Sequence, residues 1–310
     1  MLSRTATALY WMGRYVERAE FTAQLVEATP RLDSLAARPA GSDAWTSALA
    51  VASASASYAA SGAPTTPAEI GYYLLLSPNN PSSIRSCIAA ARNNARAVRT
   101  ALSREAWLSI NRAWMELGSR QVGDTKAMLA LVEEIKAEAR GFEGALHRML
   151  RNEAQFFVAL GAAIERANGT ARLLDVKYHL LLPVGERVGG AVDRDQWTGI
   201  LRTVSAVTAY RWLYREGLKP WLVAELLVLR EELPRSLLAC VEQIIALLTR
   251  ISQRTGSQGE ADRLARHQRL ALRQMSGASL VQAGMHETLT RLIDEFAALD
   301  RAISQQFRFG

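Results

Sequence analysis

An eleven-residue motif occurs twice in the chain and constrains its fold more than any other feature. The first copy runs from Gly13 to Ala23 and the second from Gly161 to Ala171. Both fit the pattern Gly-x-x-aliphatic-Glu-Arg-Ala-x-x-Thr-Ala, with the second glutamate 165 − 17 = 148 residues after the first. A shared Glu-Arg pair alone means little in an arginine-rich chain, but four further identities and one shared aliphatic position at fixed spacing indicate a common origin.

Matches between the two halves continue beyond the motif. The segment Asp43-x-Trp45-Thr46 recurs as Asp195-x-Trp197-Thr198, a shift of 197 − 45 = 152 residues. Four more positions agree when the shift is increased by one residue, to 153. At this shift Pro67, Pro81, Ser83 and Cys87 align with Pro220, Pro234, Ser236 and Cys240. We therefore predict a tandem duplication with repeats 1–152 and 153–310. Two such repeats pack most naturally about a pseudo-twofold axis, like the subunits of an isologous dimer.

The composition predicts an all-α protein, a helical bundle. Ala, Leu, Arg and Glu are abundant, all are good helix formers, and only 9 prolines interrupt the 310 residues. The first helix is expected to end near Ala28, ahead of Pro30. Further helices are predicted over 43–61, 67–76, 81–102, 104–117, 125–149, 153–181, 193–216, 220–230, 234–252, 260–275 and 282–305.

Two of these helices carry apolar residues at alternating spacings of four and three, the pattern of a helix that packs along its length against another. The first seam comprises Met128, Val132, Ile135, Ala139, Phe142, Leu146 and Met149. The second comprises Met285, Leu289, Leu292, Phe296, Leu299 and Ile303. The aromatic residues Tyr10, Trp11, Tyr15, Trp45, Trp197, Tyr210 and Trp212 are also predicted to be mostly core, with Trp11 next to the motif as a candidate cleft residue.

The net charge of +7 comes almost entirely from arginine, since lysine occupies only four positions. This is either the compositional bias of a GC-rich bacterial genome or selection for the planar fork that grips carboxylates and phosphates. A basic stretch between Arg250 and Arg273 raises a nucleic-acid hypothesis. Acidic residues accompany it and no aromatic residues interleave it, so stacking platforms for bases are missing and nucleic acid is disfavoured.

Other common chemistries find no support in the sequence. It contains no phosphate-binding glycine loop, no His-Glu-x-x-His helix and no Gly-x-Ser-x-Gly elbow. The four histidines are scattered, so we predict no metal and no cofactor. Cys87 and Cys240 are expected to be buried reduced thiols. Charged residues interrupt the opening segment and no apolar run reaches membrane-spanning length, so we expect no secretory signal, no membrane partner and a cytoplasmic location.

The Glu-Arg pairs remain as the candidate site. Successive residues project about 100° apart on a helix, so Glu17 and Arg18 must each find a partner elsewhere. Two interpretations stay open. Either Glu17 and Arg18 meet Arg166 and Glu165 reciprocally in a buried quartet that fixes how the repeats dock, or the pairs line an inter-repeat cleft that binds a ligand. In the cleft, the arginines hold a carboxylate or phosphate and the glutamates take an amine. The candidate residues are Arg14, Glu17, Arg18, Glu165, Arg166 and Arg172.

At these residues the chain resembles the alpha-E family of bacterial helical proteins, named for its Glu-Arg motif. The resemblance rests on the segments 2–4, 10–20, 165–175 and 233–236, and it covers essentially the whole chain. It implies an all-helical protein encoded beside, or fused to, a circularly permuted ATP-grasp ligase, often near a transglutaminase-like peptidase. It assigns the chain no activity of its own. One position departs from the expected pattern, because Gln24 stands where the second copy has Arg172.

Two functions follow from this reasoning. The first is a helical accessory protein that binds an ATP-grasp-type ligase or its peptide substrate through the Glu/Arg cleft. The alternative is an enzyme that modifies or transfers an aminoacyl or peptidyl group, with the glutamates as acid and base. Such an enzyme requires glutamates whose pKa is raised by an apolar cleft.

Overall fold

The computed structural model describes residues 1–35, 43–119, 124–179, 190–282 and 284–309. Within these ranges the protein consists of helices and turns without a β-strand, as predicted. The α-helices are α1 Ser3–Leu35, α2 Asp43–Val51, α3 Ser55–Ala60, α4 Pro67–Leu75, α5 Ile84–Ala97, α6 Arg104–Ser119, α7 Thr125–Arg148, α8 Glu153–His179, α9 Ala191–Thr203, α10 Val207–Tyr214, α11 Pro220–Leu229, α12 Leu237–Thr255, α13 Glu260–Arg273, α14 Gly277–Gln282 and α15 Met285–Gln306.

The first helix does not end before Pro30, as the sequence predicted. It continues through this proline to Leu35. Leu25, Val26 and Thr29 are buried, so the turn preceding the proline is held by packing. One turn beyond, the Leu32 side chain packs against Gly199 of α9. Tertiary contacts on both sides of the proline therefore outweigh its intrinsic tendency to end a helix.

Two predicted single helices, 43–61 and 193–216, are each broken near the middle. Ser53 and Ser205 adopt left-handed φ values of 55° and 56°, which an α-helix cannot continue through. The residue after each break donates its backbone N–H to the carbonyl oxygen five positions earlier. Ala54 donates to Leu49 O at 2.8 Å, and Ala206 donates to Leu201 O at 2.7 Å. This is the Schellman ending of a helix, which glycine usually marks. Here serine takes the position, so no glycine marks the helix end in the sequence.

Smaller differences occur at other helix ends. The N-cap serines Ser83 and Ser236 accept hydrogen bonds from the backbone N–H of Ser86 and Ala239, so α5 and α12 begin three residues after the prolines that were predicted to open them. The predicted helix 81–102 ends as α5 at Ala97 and continues only as a short 3-10 turn. Residues 277–282 form a separate short helix, α14, before α15 begins at Met285.

Both predicted seams face the core. The seam residues of α15 are all buried, as are those of α7 except Met149, which is half-buried beyond the helix end. Among the aromatic residues the prediction fails for Trp212, which is 77% exposed, while Trp11 and Tyr15 are partly buried. The others of that set, Tyr10, Trp45, Trp197 and Tyr210, are buried.

The motif helices α1 and α8 pack against each other at the centre of the molecule. Helices α5, α7 and α9 also pack on α1, and α12, α15 and α2 pack on α8. The buried apolar residues fall into two clusters along this pair. One contains α1 residues from Ala6 to Val16 and α8 residues from Ala154 to Ile164. The other starts at Ala19 on α1 and at Ala167 on α8. The Glu-Arg dipeptides therefore lie at the boundary between the two clusters.

The backbones of α1 and α8 touch where they cross. A methyl group added to Gly13 would lie 2.0 Å from Val158 O, and one added to Gly161 would lie 2.0 Å from Tyr10 O. Both obstructing atoms belong to helical backbone, which cannot move aside as a flexible side chain can. The crossing at this distance therefore requires glycine on both helices.

We predict that Gly13→Ala destabilises the protein by about 3 kcal/mol or more, because the two central helices must separate. Gly144→Ala is the matched control, since a methyl group there meets nothing within 4 Å. In the middle of α7 this change should instead stabilise the protein by about 0.5–1 kcal/mol. Urea unfolding of both variants measures the difference. Equal stability of Gly13→Ala and the wild type would show that the helices do not cross this closely.

Candidate functional site

The four motif charges lie one helical turn beyond the glycine crossing. Glu17 follows Gly13 by four residues and Glu165 follows Gly161 by four, so each glutamate lies on the same face of its helix as the contact. Because the backbones touch at the glycines, side chains one turn later reach the opposite helix. The glutamates and arginines therefore pair between helices, and neither Glu-Arg dipeptide pairs internally.

Glu165 is surrounded by arginines. Arg18 binds it in a bidentate manner, donating from Nε to Oε1 at 2.7 Å and from Nη2 to Oε2 at 3.0 Å. Arg14 donates from Nε to Oε2 at 2.9 Å. Arg172 Nη2 lies 3.7 Å from Oε1. The Glu165 side chain is only 2% exposed, so this carboxylate has exchanged its water shell for guanidinium groups.

Glu17 has an equivalent environment on the other side of the crossing. Arg166 donates to it from Nη2 at 2.7 Å and from Nε at 3.2 Å. Arg235, from the turn before α12, donates from Nη1 to Oε1 at 2.7 Å. Arg235 was not among the predicted site residues. Its position directly before the N-cap Ser236, within a segment that carried the family resemblance, was the available signal.

Further charged residues extend each side. On the Glu17 side, Glu20 lies 3.3 Å from Arg235 and Glu143 lies 3.1 Å from Arg166. Three carboxylates thus face two guanidinium groups, a formal charge of −1. On the Glu165 side, Asp300 of α15 pairs with Arg14 and accepts from the Tyr10 hydroxyl. Glu165 and Asp300 there face three arginines, a formal charge of +1. No motif or spacing in the sequence pointed to Asp300.

Both motif glutamates remain ionised at neutral pH. Burial alone would raise their pKa values. For Glu165 the charges of Arg18 and Arg14 outweigh burial, and the pKa lies well below the ordinary value. For Glu17 the charges of Arg166 and Arg235 do the same. A general acid or base needs the opposite shift, so neither glutamate suits the acid–base role in the enzyme hypothesis.

Glu20 is the exception among the buried carboxylates. Burial raises its pKa, and the negative charges of Glu17 and Glu143 raise it further against the opposing effect of Arg235. The Gln24 side chain donates from Nε2 to Glu20 Oε1 at 3.2 Å. Glu20 lies within the first copy of the motif, but it was not predicted as a site residue.

The two cysteines are buried next to the ion pairs, as predicted for inert thiols. Burial raises the pKa of both Cys87 and Cys240 to about 12, although Arg18 and Arg166 respectively oppose the shift. Each thiol donates to a proline carbonyl, Cys87 to Pro81 O at 3.9 Å and Cys240 to Pro234 O at 3.7 Å. Neither thiol is available as a thiolate nucleophile near neutral pH.

The space next to the motif charges is small. A cavity of about 60 Å³ lies between α1, α7 and α8 and is lined in part by Glu17, Glu20, Glu143 and Arg166. It has room for about two water molecules. On the opposite side, the guanidinium of Arg14 lies against the Trp11 ring, 4.8 Å from its centroid. The guanidinium groups of Arg14, Arg18 and Arg166 bind glutamates. Because they are occupied in this way, the geometry favours a structural ion-pair cluster over a ligand-binding cleft.

Alternative sites receive little support from the described residues. In these ranges no group of three or more His, Cys, Asp and Glu side chains is arranged to hold a metal ion. No described helix combines the length and apolar character needed to cross a membrane. In the basic stretch on α12 and α13, Arg273 pairs with Glu231 and Glu242, and Arg263 pairs with Glu260. Acidic neighbours thus occupy part of this surface.

Comparison with known proteins gives one match. The family model Alpha-E, described as a predicted alpha-helical domain with a conserved ER motif, matches residues 1–307. The chain carries Glu-Arg dipeptides at positions 17–18 and 165–166, at the centre of the fold. No curated protein and no solved structure matches the chain.

We predict that Glu165→Gln destabilises the protein by about 3–5 kcal/mol, because it leaves the partly buried Arg18 without a counter-charge and the buried Arg14 with Asp300 alone. Glu138→Gln is the matched control, since Glu138 pairs with Arg112, whose side chain is 54% exposed. Loss of that surface pair should cost about 0–1 kcal/mol. Urea unfolding at pH 7 measures both values. Similar values for the two variants would contradict a structural role for Glu165.

The cost of Glu165→Gln should also depend on pH. The pKa of Glu165 is lowered in the folded protein, so its contribution to stability is fully present above the pKa in the unfolded chain, about 4.3. The contribution is lost as the pH falls through the lowered folded-state pKa. The difference in unfolding free energy between wild type and Glu165→Gln should therefore shrink as the pH is lowered from 5 towards 2. Urea unfolding at several pH values tests this, and a constant difference would contradict it.

Proposed function

Since the chain belongs to the Alpha-E family, we propose that it is a helical accessory protein of an ATP-grasp-type peptide ligase. In this proposal it binds the ligase or its peptide substrate in the bacterial cytoplasm, where ATP is available. The resemblance of its motifs to a family encoded beside such ligases supplies the partner. The buried and mutually paired charges of the motif supply no catalytic group, which supports a binding role over a reaction.

The observation that carries this proposal is an exposed apolar corner at the α10–α11 connection. Trp212 is 77% exposed, Trp221 43% and Leu213 39%. Large aromatic residues are enriched in protein interfaces, where they provide much of the binding energy. The corner also carries charge, because Lys219 pairs with Glu216 and lies over the Trp221 ring. An apolar centre with a charged rim is typical of a protein-binding surface. We therefore place the ligase contact at this corner.

We further propose that the chain is a duplicated unit, with repeats 1–152 and 153–310 related by a pseudo-twofold axis. The helix neighbours support this. Helices α5, α7 and α9 pack around α1, and helices α12, α15 and α2 pack around α8. In the proposed repeat, α12 corresponds to α5, α15 to α7 and α2 to α9. The proposed boundary falls between the end of α7 at Arg148 and the start of α8 at Glu153.

Individual contacts support the same relationship. Gly13 touches Val158 while Gly161 touches Tyr10, and both pairs exchange under the 148-residue shift. The left-handed Ser53 and Ser205 lie 152 residues apart. The thiol–proline contacts of Cys87 and Cys240 lie 153 residues apart. Each of these contacts thus has a partner at the shift that the sequence alignment requires.

In this proposal the six predicted residues form an inter-repeat ion-pair cluster. Glu165 is bound by Arg14 and Arg18 from the first repeat and lies near Arg172 from its own repeat. Glu17 of the first repeat is bound by Arg166 from the second. Buried pairs of this kind add little net stability but penalise any register in which a charge is left alone. The cluster would therefore fix how the two repeats dock and hold the exposed corner in place.

The enzyme alternative has one supporting observation, the raised pKa of Glu20. Against it stand the lowered pKa values of both motif glutamates. The adjoining cavity of about 60 Å³ is also too small for an aminoacyl group together with its acceptor. These observations favour the accessory protein.

We predict that the wild-type chain co-purifies with the ATP-grasp ligase encoded beside it, and that Trp212→Ala with Trp221→Ala weakens the complex. Loss of an interface aromatic typically costs 2 kcal/mol or more, so the dissociation constant should rise roughly thirtyfold. Calorimetric titration of ligase with each variant measures the change.

The matched control is Leu270→Ala, which removes a 55% exposed apolar side chain from α13, a helix other than the two that form the corner. It should leave the affinity unchanged. Absence of a complex with the wild type, with ATP and peptide present, would overturn the ligase partnership. A complex that both the double variant and the control leave intact would overturn the placement at the corner.

A further inference from the structure

A second cavity, much larger than the one at the ion pairs, lies between α1, α7 and α9. Its volume is about 420 Å³, within the range of about 300–1,000 Å³ that small-molecule sites occupy. Its lining mixes acidic, basic and amide side chains. The lining includes Gln24, Glu27, Lys136, Asp195, Arg202 and Ser205.

The cavity lies where the two motif copies differ. In the second copy, Arg172 extends to Ser53 and donates from Nη1 to its hydroxyl at 2.7 Å. The first copy has Gln24 in place of this arginine, and Ser205 stands at the position corresponding to Ser53. Gln24 is too short to make the equivalent contact, and both Gln24 and Ser205 line the open cavity. The volume that an arginine side chain takes up on one side is therefore empty on the other.

One buried polar atom of the cavity lining has no hydrogen-bond partner. Gln24 is only 5% exposed, and its Oε1 has no hydrogen-bond partner. Its Nε2 donates to Glu20, so the oxygen is the atom of this amide that has no hydrogen-bond partner. Buried amide oxygens are nearly always paired, which points to a donor that enters from outside. The carboxylate of Asp195 shares the lining, so a positively charged donor is favoured next to it.

The same cavity also carries cations. Lys136 is buried in its wall and donates to Glu27 at 2.6 Å and to Glu133 at 2.7 Å. Burial lowers the pKa of Lys136, but these hydrogen bonds outweigh it and the pKa is raised, so the ammonium stays charged. Arg202 is exposed at the cavity and forms no ion pair with any residue in the described ranges. Its planar fork is available for a carboxylate.

We propose that this cavity binds a small zwitterion with a free amino group and a free carboxylate, such as an amino acid or a dipeptide. The ammonium donates to Gln24 Oε1 near Asp195, and the carboxylate binds the Arg202 guanidinium. This site is separate from the exposed α10–α11 corner and does not depend on a ligase partner. Binding is therefore testable with the isolated chain.

Calorimetric titration with alanylalanine provides the test, with N-acetyl-alanylalanine, alanylalanine amide and inorganic phosphate as comparison probes. The free dipeptide should bind saturably at one site. Each blocked form should bind about tenfold or more weakly, because a charged hydrogen-bond partner is lost. No saturable binding of alanylalanine, or equal binding of all probes, would overturn the proposal.

Gln24→Arg should abolish binding by filling the cavity as Arg172 fills its counterpart. Gln253→Arg, the same change at an exposed position of α12, is the matched control and should leave binding unchanged. Because Gln24 is buried, exposed Arg202 gives a second variant that does not disturb the core. Arg202→Ala should weaken alanylalanine about tenfold and leave the amide unaffected. Unchanged dipeptide binding in Arg202→Ala, or in a folded Gln24→Arg, would overturn the assignment.

Discussion

The backbone contact between α1 and α8 is the constraint on which the rest of the structure depends. At Gly13 and Gly161 neither helix has room for a side chain, so the helix axes approach to the limit that backbone atoms allow. One turn further, this proximity brings Glu17 and Glu165 within reach of arginines on the opposite helix. Any increase in the separation would leave charges in a low-dielectric interior without partners, which costs several kcal/mol per charge. Close packing and ion pairing therefore require each other.

The ion pairs also divide the core. Apolar residues on either side of the dipeptides form two clusters, and the charged layer lies between them. A continuous apolar core would tolerate sliding of α1 along α8, because apolar packing is not directional. In the proposed docking role, a layer in which each carboxylate needs a particular guanidinium permits only one register.

The two motif glutamates have unequal surroundings. Glu165 has three arginines around it and Glu17 has two, with the third position held by Gln24. A single change of side-chain length thus separates a filled site at Arg172 and Ser53 from an open cavity at Gln24 and Ser205. If the repeats arose from one sequence, this difference is where they were free to specialise, because it lies outside the glycine contact and the cross-paired charges.

Several features were predictable from the sequence because they depend on local chemistry. The helical class, the buried seams of α7 and α15 and the buried thiols follow from residue types and their spacing. The helix ends were less predictable. Pro30 lies inside α1 because packing on both sides holds the helix together, and α2 and α9 end at serines that adopt the conformation glycine usually takes.

The sequence by itself determined that the chain is helical, that it carries the Glu-Arg motif twice and that Glu17 and Arg18 cannot pair with each other. Only the tertiary structure decided which arginine meets which glutamate, and it added Arg235, Glu20, Glu143 and Asp300, which come from distant turns and helices. The same holds for the exposure of Trp212 and the cavity at Gln24. The reason is physical. Helix formation depends on neighbours within about four residues, whereas ion pairing, burial and cavity volume depend on groups that folding alone brings together.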